Sequence, residues 1–173
     1  MNYLKKIFST GAIRKTPSRI LKKITSLIQT DKPLSIMELG AGQGEITSAV
    51  INKIPAPKTY LAFEIDKNYY QKLSVDFPQI KVMPYDAFAF NSHLNGTKAD
   101  LIISSIPLSF YKKEKIEKLL EAIQDALQPG GSFIIIFHAF WLLPMLRKKF
   151  PGNKVEVFVT LPVYFLFTSI TKD

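Results

Sequence analysis

From residue 34 onward the chain alternates short apolar runs with segments whose apolar residues recur every three or four positions. "LSIMELG" (34–40) reads as a buried strand, and "GEITSAVINKI" (44–54) has helical spacing that ends near Pro55. "TYLAFEID" (59–66) predicts a second strand, with a helix following through "KNYYQKLSVDF" (67–77). "IKVMPYD" (80–86) is a short third strand and "ADLIISS" (99–105) a fourth. "KKEKIEKLLEAIQDAL" (112–127) is a strongly periodic helix stopped by "QPGG", and "SFIIIFH" (132–138) is a fifth strand. A helix near 140–149 precedes "KVEVFVTLPVYFLFTSITK" (154–172), which reads as two strands joined around Leu161-Pro162. Five strands, four of them followed by a helix, and a closing hairpin predict one α/β domain: a Rossmann-like, mostly parallel sheet with helices on both faces.

Ahead of this body, Ile20, Leu21, Ile24, Leu27 and Ile28 fall on one helical face, with Lys22, Lys23, Ser26 and Gln29 opposite and a start at Pro17-Ser18. That face serves either core packing or an interface. Tyr3, Leu4, Ile7 and Phe8 make a shorter amphipathic stretch broken at Gly11, and aromatics beside lysines there favour an interfacial role. Residues 1–30 are therefore expected to form a basic amphipathic helical segment, and residues 31–173 the α/β domain.

Charge sharpens this division. The net charge is +9, and residues 1–30 contribute +7 through Lys5, Lys6, Arg14, Lys15, Arg19, Lys22 and Lys23, with no acid. A basic leader on a nearly neutral body points to an anionic partner, either phospholipid or a phosphate backbone. The absence of cysteine excludes disulfides and thiolate metal sites and suits a reducing compartment; no metal is expected. The longest apolar run, "FIIIFHAFWLLPML" (133–146), is too short to span a bilayer and holds His138 and Pro144. The first fifteen residues lack the apolar core of a cleavable signal peptide.

"MELGAGQGEIT" (37–47) places Gly40, Gly42 and Gly44 between the first strand and its helix, where glycines permit a tight turn and close approach of a ligand. Glu38 stands just before the glycines. Glu64 closes the second strand about twenty residues beyond them, a position suited to ribose hydroxyls, while Asp66 suits a helix cap. Asp86 follows the third strand, placed to accept from an adenine amino group. This arrangement, with "LQPGG" and the terminal hairpin, resembles the class I S-adenosylmethionine-dependent methyltransferases over residues 34–170. The resemblance implies a seven-stranded sheet whose last strand is inserted antiparallel, with S-adenosylmethionine as cofactor. It also implies that Gly40, Ala41, Gly42 and Gly44 cradle the methionine part. Glu38 would steady the glycine loop or receive the cofactor's amino group, Glu64 with Ile65 would hold the ribose side, and Asp86 with Ala87 or Phe88 the base. A dinucleotide dehydrogenase would instead need G-x-G-x-x-G, and here Gly44 falls one position early.

"SSIPLSFY" (104–111) follows the fourth strand, where this family presents the acceptor to the methyl group. The ribosomal-RNA adenine dimethylases carry Asn-Leu-Pro-Tyr at this place; here Ser105-Ile106-Pro107-Leu108 lacks both the amide and the stacking aromatic. The stretch is more similar to bacterial phospholipid N-methyltransferases, whose loop reads roughly Ser-Gly-Leu-Pro-Leu, departing from them at Ser105. "GAIRKTPSR" (11–19) is similar to a segment those enzymes carry ahead of the first strand. The resemblance implies an aminophospholipid or related aminolipid as substrate, methylated at an anionic membrane surface from the cytoplasmic side; RNA adenine methylation is the alternative. Expected roles follow. Ser104 would touch cofactor and acceptor, and His138 or Tyr111 would take the amine's proton. Ile106, Pro107, Leu108, Phe110, Tyr111 and Trp141 would meet the substrate. Lys5, Lys6, Ile7, Phe8, Arg14, Lys15 and Arg19 would meet the membrane.

Overall fold

A computed structural model describes residues 15–29 and 31–171. The alternation of buried apolar runs builds a seven-stranded sheet: β1 (Ser35–Leu39), β2 (Thr59–Phe63), β3 (Lys81–Met83), β4 (Ala99–Ser104), β5 (Leu127–Phe137), β6 (Lys154–Phe158) and β7 (Tyr164–Ile170). Its order is β3-β2-β1-β4-β5-β7-β6, with β7 alone running against the rest. This is the expected Rossmann-like arrangement. All five residues of β1 are buried, as a central parallel strand covered on both faces requires.

The helices are α1 (Ser18–Leu27), α2 (Glu45–Lys53), α3 (Lys67–Asp76), α4 (Lys113–Ala126) and α5 (Leu143–Lys149). Strand alternation divides the core between the sheet's two faces. Met37, Leu39, Ile102, Phe133 and Ile135 pack on one side with Ile116, Leu120 and Ile123 of α4. Ile36, Leu101, Ile103 and Ile134 pack on the other with Ile46 and Val50 of α2.

Helix α1 joins this second cluster: Ile20 and Ile24 are fully buried, with Ile28 just beyond the helix also buried. Of the two readings for its apolar face, core packing holds, so α1 packs on the body although it precedes residue 31. The membrane residues expected at Lys5, Lys6, Ile7, Phe8 and Arg14 lie outside the described residues; Lys15 and Arg19 are exposed.

Three details differ from the pattern. "QPGG" does not simply separate helix from strand: β5 begins at Leu127, opposite Ala99, and a register shift follows before Leu101 meets Ser132. Residues Ala87–His93 form a 3₁₀ turn that no periodicity announced. The helix expected from 140 opens as a 3₁₀ turn, Phe140–Leu142, before α5.

Candidate active site

The carboxyl ends of β1, β2, β4 and β5 surround a cleft of about 420 Å³. Its walls include Gly40, Ala41, Gly42, Glu64, Ile65, Asp86 and Ala87 on one side. Ile106, Pro107, Leu108, Phe110, Tyr111 and His138 line the other.

The glycine loop is held open from below. Gly40 N and Ala41 N donate to Phe63 O at 3.0 and 3.2 Å, which ties the loop to the end of β2. Glu64 then fastens its crest: Oε2 accepts from Gly42 N and Oε1 from Asp66 N, both at 2.7 Å. Burial pushes the Glu64 carboxyl up, against the pull of those two N–H groups. A Cβ at Gly40 would lie 3.2 Å from the Ile106 side chain, whereas one at Gly42 would enter open space. The loop therefore fits a ligand that approaches backbone closely at the start of α2. Beyond it, the carboxylates of Glu64 and Asp86 flank Ile65 and Ala87, polar groups around an apolar slot that suits an adenosine. These features fit S-adenosylmethionine.

Asp66 is the cap of α3, its Oδ1 accepting from Asn68 N and Tyr69 N at 2.9 and 3.2 Å. Asp86 caps the following 3₁₀ turn through Phe88 N at 2.9 Å and also lines the cleft. Cap and cleft wall are thus combined in one residue.

Ser104, Gly44 and Trp141 stand apart from the cleft walls, and Glu38 lies beneath the glycine loop, where it steadies it. Ser104 is fully buried in β4 and its Oγ lies away from the cleft walls; Ser105 lines the cleft instead, its Oγ donating to Gly40 O at 2.7 Å. Adjacent strand residues face opposite ways, so only one serine of the pair can turn toward the ligand. Glu38 is also fully buried. Thr47 Oγ1 and Tyr60 O–H both donate to its Oε2, at 2.7 and 2.5 Å, so it ties β1 to α2 and β2 beneath the loop. Its Oε1 has no partner among the described residues, and burial raises its pKa from 4.5 to about 7. Gly44 adopts φ +88°, and a Cβ there would meet Leu73 and Phe77 at 2.8 and 2.9 Å. It lets α3 pack closely against the loop rather than facing the cleft. Trp141 is about half exposed on the outer side of its turn, while Ala139 and Leu142 reach the cleft.

Two residues that bear on the candidate chemistry emerge only in three dimensions. Val163 O sits 2.7 Å from His138 Nδ1. A carbonyl can only accept, so Nδ1 carries the hydrogen, and neutral His138 keeps its lone pair on Nε2. Lys115 Nζ lies 3.6 Å from Asp86 Oδ2, 4.1 Å from the Phe88 ring centre and 4.9 Å from that of Tyr111. Phe88 and Tyr111 stand 4.3 Å apart. One ammonium thus clamps the turn after β3 to the loop after β4. Burial, and then the Asp86 charge, push the Tyr111 phenol up, which suits a hydrogen-bond donor better than a proton acceptor.

Comparison with known proteins agrees with this geometry. The family described as a methyltransferase domain matches residues 36–131, more than half of the chain. An ornithine lipid N-methyltransferase from Singulisphaera acidiphila is 22% identical over 129 residues, covering 71% of this chain and 67% of that protein. The N-methyltransferase NodS from Bradyrhizobium japonicum WM9, in complex with S-adenosyl-L-homocysteine, superposes with a TM-score of 0.74 at 12% identity, covering 94% of this chain and 91% of the other. A precorrin-6y C5,15-methyltransferase from Geobacter metallireducens GS-15 gives a TM-score of 0.72 at 15% identity, with 93% of each chain covered. The chain belongs to the methyltransferase-domain family, as an S-adenosylmethionine-dependent methyltransferase of class I.

Proposed function

We propose that this methyltransferase acts on nitrogen, methylating the amino headgroup of a phospholipid or related aminolipid at the inner membrane face. The observation that carries this reading is the acceptor side of the cleft. Ile106, Pro107, Leu108 and Phe110 line it, with no side-chain amide in that loop to read a nucleobase edge. Similarity to an ornithine lipid N-methyltransferase supports the same substrate class. Lys5, Lys6, Arg14, Lys15 and Arg19 would hold the enzyme on anionic lipid. No helix among the described residues is long and apolar enough to cross a membrane.

S-adenosylmethionine, when bound, supplies an electrophilic methyl group on a sulfonium. The glycine loop, Glu64 and Asp86 would hold it, with Ser105 bracing Gly40 from the acceptor side. An aminolipid arrives as an ammonium and must lose a proton before its nitrogen has a lone pair to give. His138 Nε2 is the group for that proton, because Val163 O already fixes the hydrogen on Nδ1. Tyr111 and Phe110 offer aromatic faces to the cation on either side of the transfer. Alignment of amine and methyl in the cleft supplies much of the rate.

Labelled S-adenosylmethionine incubated with aminolipid vesicles and, separately, with total RNA tests the proposal. Label in the lipid fraction supports it. Label in RNA alone would overturn it in favour of an RNA adenine methyltransferase, in which the same basic leader grips phosphates.

A further inference from the structure

The exposed large apolar side chains of this protein are not scattered. Strands β1 to β5 run parallel, so the loops that follow them share one end of the sheet, and β7 runs the other way, which brings the β6–β7 connection to that end too. Phe110 follows β4, Phe140 and Trp141 follow β5, and Val159, Leu161 and Val163 lie in the β6–β7 connection. Val159 is 89%, Leu161 88% and Phe140 69% exposed. Ile65 and Tyr85, after β2 and β3, extend the same end. Among the described residues, the other exposed large apolar side chains are Val75 and Ile170 at the opposite end and Val157 on the edge strand β6. Such concentration marks an interaction surface.

We infer that this rim is the surface that enters the bilayer, seating the cleft mouth in the interfacial region of an anionic membrane. The inference rests on the lipid reading above and adds which face of the body meets the lipid. Rim and cleft wall are continuous: Leu142 is buried against the cleft while Phe140 and Trp141 beside it turn outward, and Pro162 lines the cleft next to the outward Leu161. A headgroup reaching into the cleft would leave its acyl chains against those outward residues.

Charge around the rim matches anionic lipid. Lys112 and Lys113 follow Tyr111 directly, Lys113 making only a loose 3.9 Å pair with Glu117. Of the carboxylates at this end, Asp66 caps α3 and Asp86 is held by Phe88 N and Lys115, while Glu45 and Glu114 stand in the first turns of α2 and α4. Thr16 lines the cleft, and Lys15 beside it is exposed. Apolar rim and lysines therefore converge where the cleft opens.

Trp141 is the chain's sole tryptophan, which makes it a reporter already in place. The full chain is mixed with vesicles of phosphatidylglycerol and phosphatidylcholine, free of aminolipid, and Trp141 emission is followed. The expected result is a blue shift, with quenching by lipids brominated near the headgroup end of the acyl chain. Val159→Asp combined with Phe140→Asp should weaken vesicle binding about tenfold or more, since both charges would enter the interface. Calorimetry should show S-adenosylmethionine binding to that variant unchanged, which establishes that it is folded. Vesicle binding with Trp141 emission unmoved, or equal binding by the variant, would overturn the inference and leave the lipid substrate standing. Absence of vesicle binding would also overturn it, while methylation of an aminolipid dispersed in detergent tests the substrate reading separately.

Discussion

Replacing Glu38 with glutamine should stabilise the protein above neutral pH and leave it nearly unchanged in mild acid. Glu38 is fully buried, its Oε2 accepting from Thr47 and Tyr60, and its Oε1 without a partner among the described residues. Burial raises its pKa from 4.5 to about 7; the two hydrogen bonds oppose that rise, and the nearby Glu64 and Glu45 charges add to it. The sign follows from proton counting. Between those two values the folded protein binds more protons than the unfolded chain, so stability falls as pH rises through that window. Above it, ionised Glu38 costs about 3 kcal/mol relative to the unfolded reference. Glutamine keeps the accepting oxygen toward Thr47 and Tyr60 and carries no charge. Its amide nitrogen takes the place of Oε1, and so lacks a partner much as the protonated acid's hydroxyl does. The advantage of Glu38→Gln at pH 8.5 should therefore exceed that at pH 5 by roughly 2–3 kcal/mol. For a chain of this size that corresponds to about 5–10 °C in Tm. Urea unfolding at pH 5, 7 and 8.5, without cofactor, measures it. A difference that does not vary with pH, or a variant weakest at pH 8.5, would refute the reasoning, because Oε1 would then have a partner for its charge.

The glycines of the loop should separate under substitution. Gly44→Ala combines a left-handed φ with contacts to Leu73 and Phe77 and should cost about 2–4 kcal/mol in denaturant unfolding. Gly42→Ala meets nothing within 4 Å and should cost only about 1–2 kcal/mol, but its methyl enters the cleft and should weaken S-adenosylmethionine binding in calorimetry. Glu64→Gln turns an amide donor toward either Gly42 N or Asp66 N, and cofactor affinity should fall by about ten- to a hundredfold. His138→Ala should lower kcat by about a hundredfold or more while cofactor affinity measured by calorimetry stays unchanged.

Much of the architecture was legible along the chain because it depends on local regularities. Short apolar runs, with apolar–charged alternation at β6, interrupted by helical spacing, located the strands. The glycines between "MEL" and "EIT" located the ligand loop, since a sharp strand-to-helix turn needs residues free of a Cβ. Asp66 could be recognised as a cap because its partners lie two and three residues away. The 3₁₀ turn at Ala87–His93 escaped notice, having neither helical nor alternating spacing.

What depends on distant partners was decided only by tertiary structure. Ser104 and Ser105 are equivalent as letters, and the pairing of Ser104 with Leu39 and Ile135 settles which one faces Gly40. Gly44 belongs to the glycine motif by spacing, yet its environment comes from Leu73 and Phe77, about thirty residues away. His138 acquires a defined tautomer from a carbonyl 25 residues further on. Trp141 was expected to meet the substrate, but the turn it occupies gives the inward position to Leu142. The same holds for the apolar rim: Phe110, Phe140 and Val159 sit in three separate loops, and only the strand order brings them to one end. Local sequence thus specified the elements and the ligand loop, because turns and periodicities are written in adjacent residues. Orientation within the site and the shape of its mouth came from packing between segments far apart in the chain, where side-chain direction depends on register and on which neighbour fills the space.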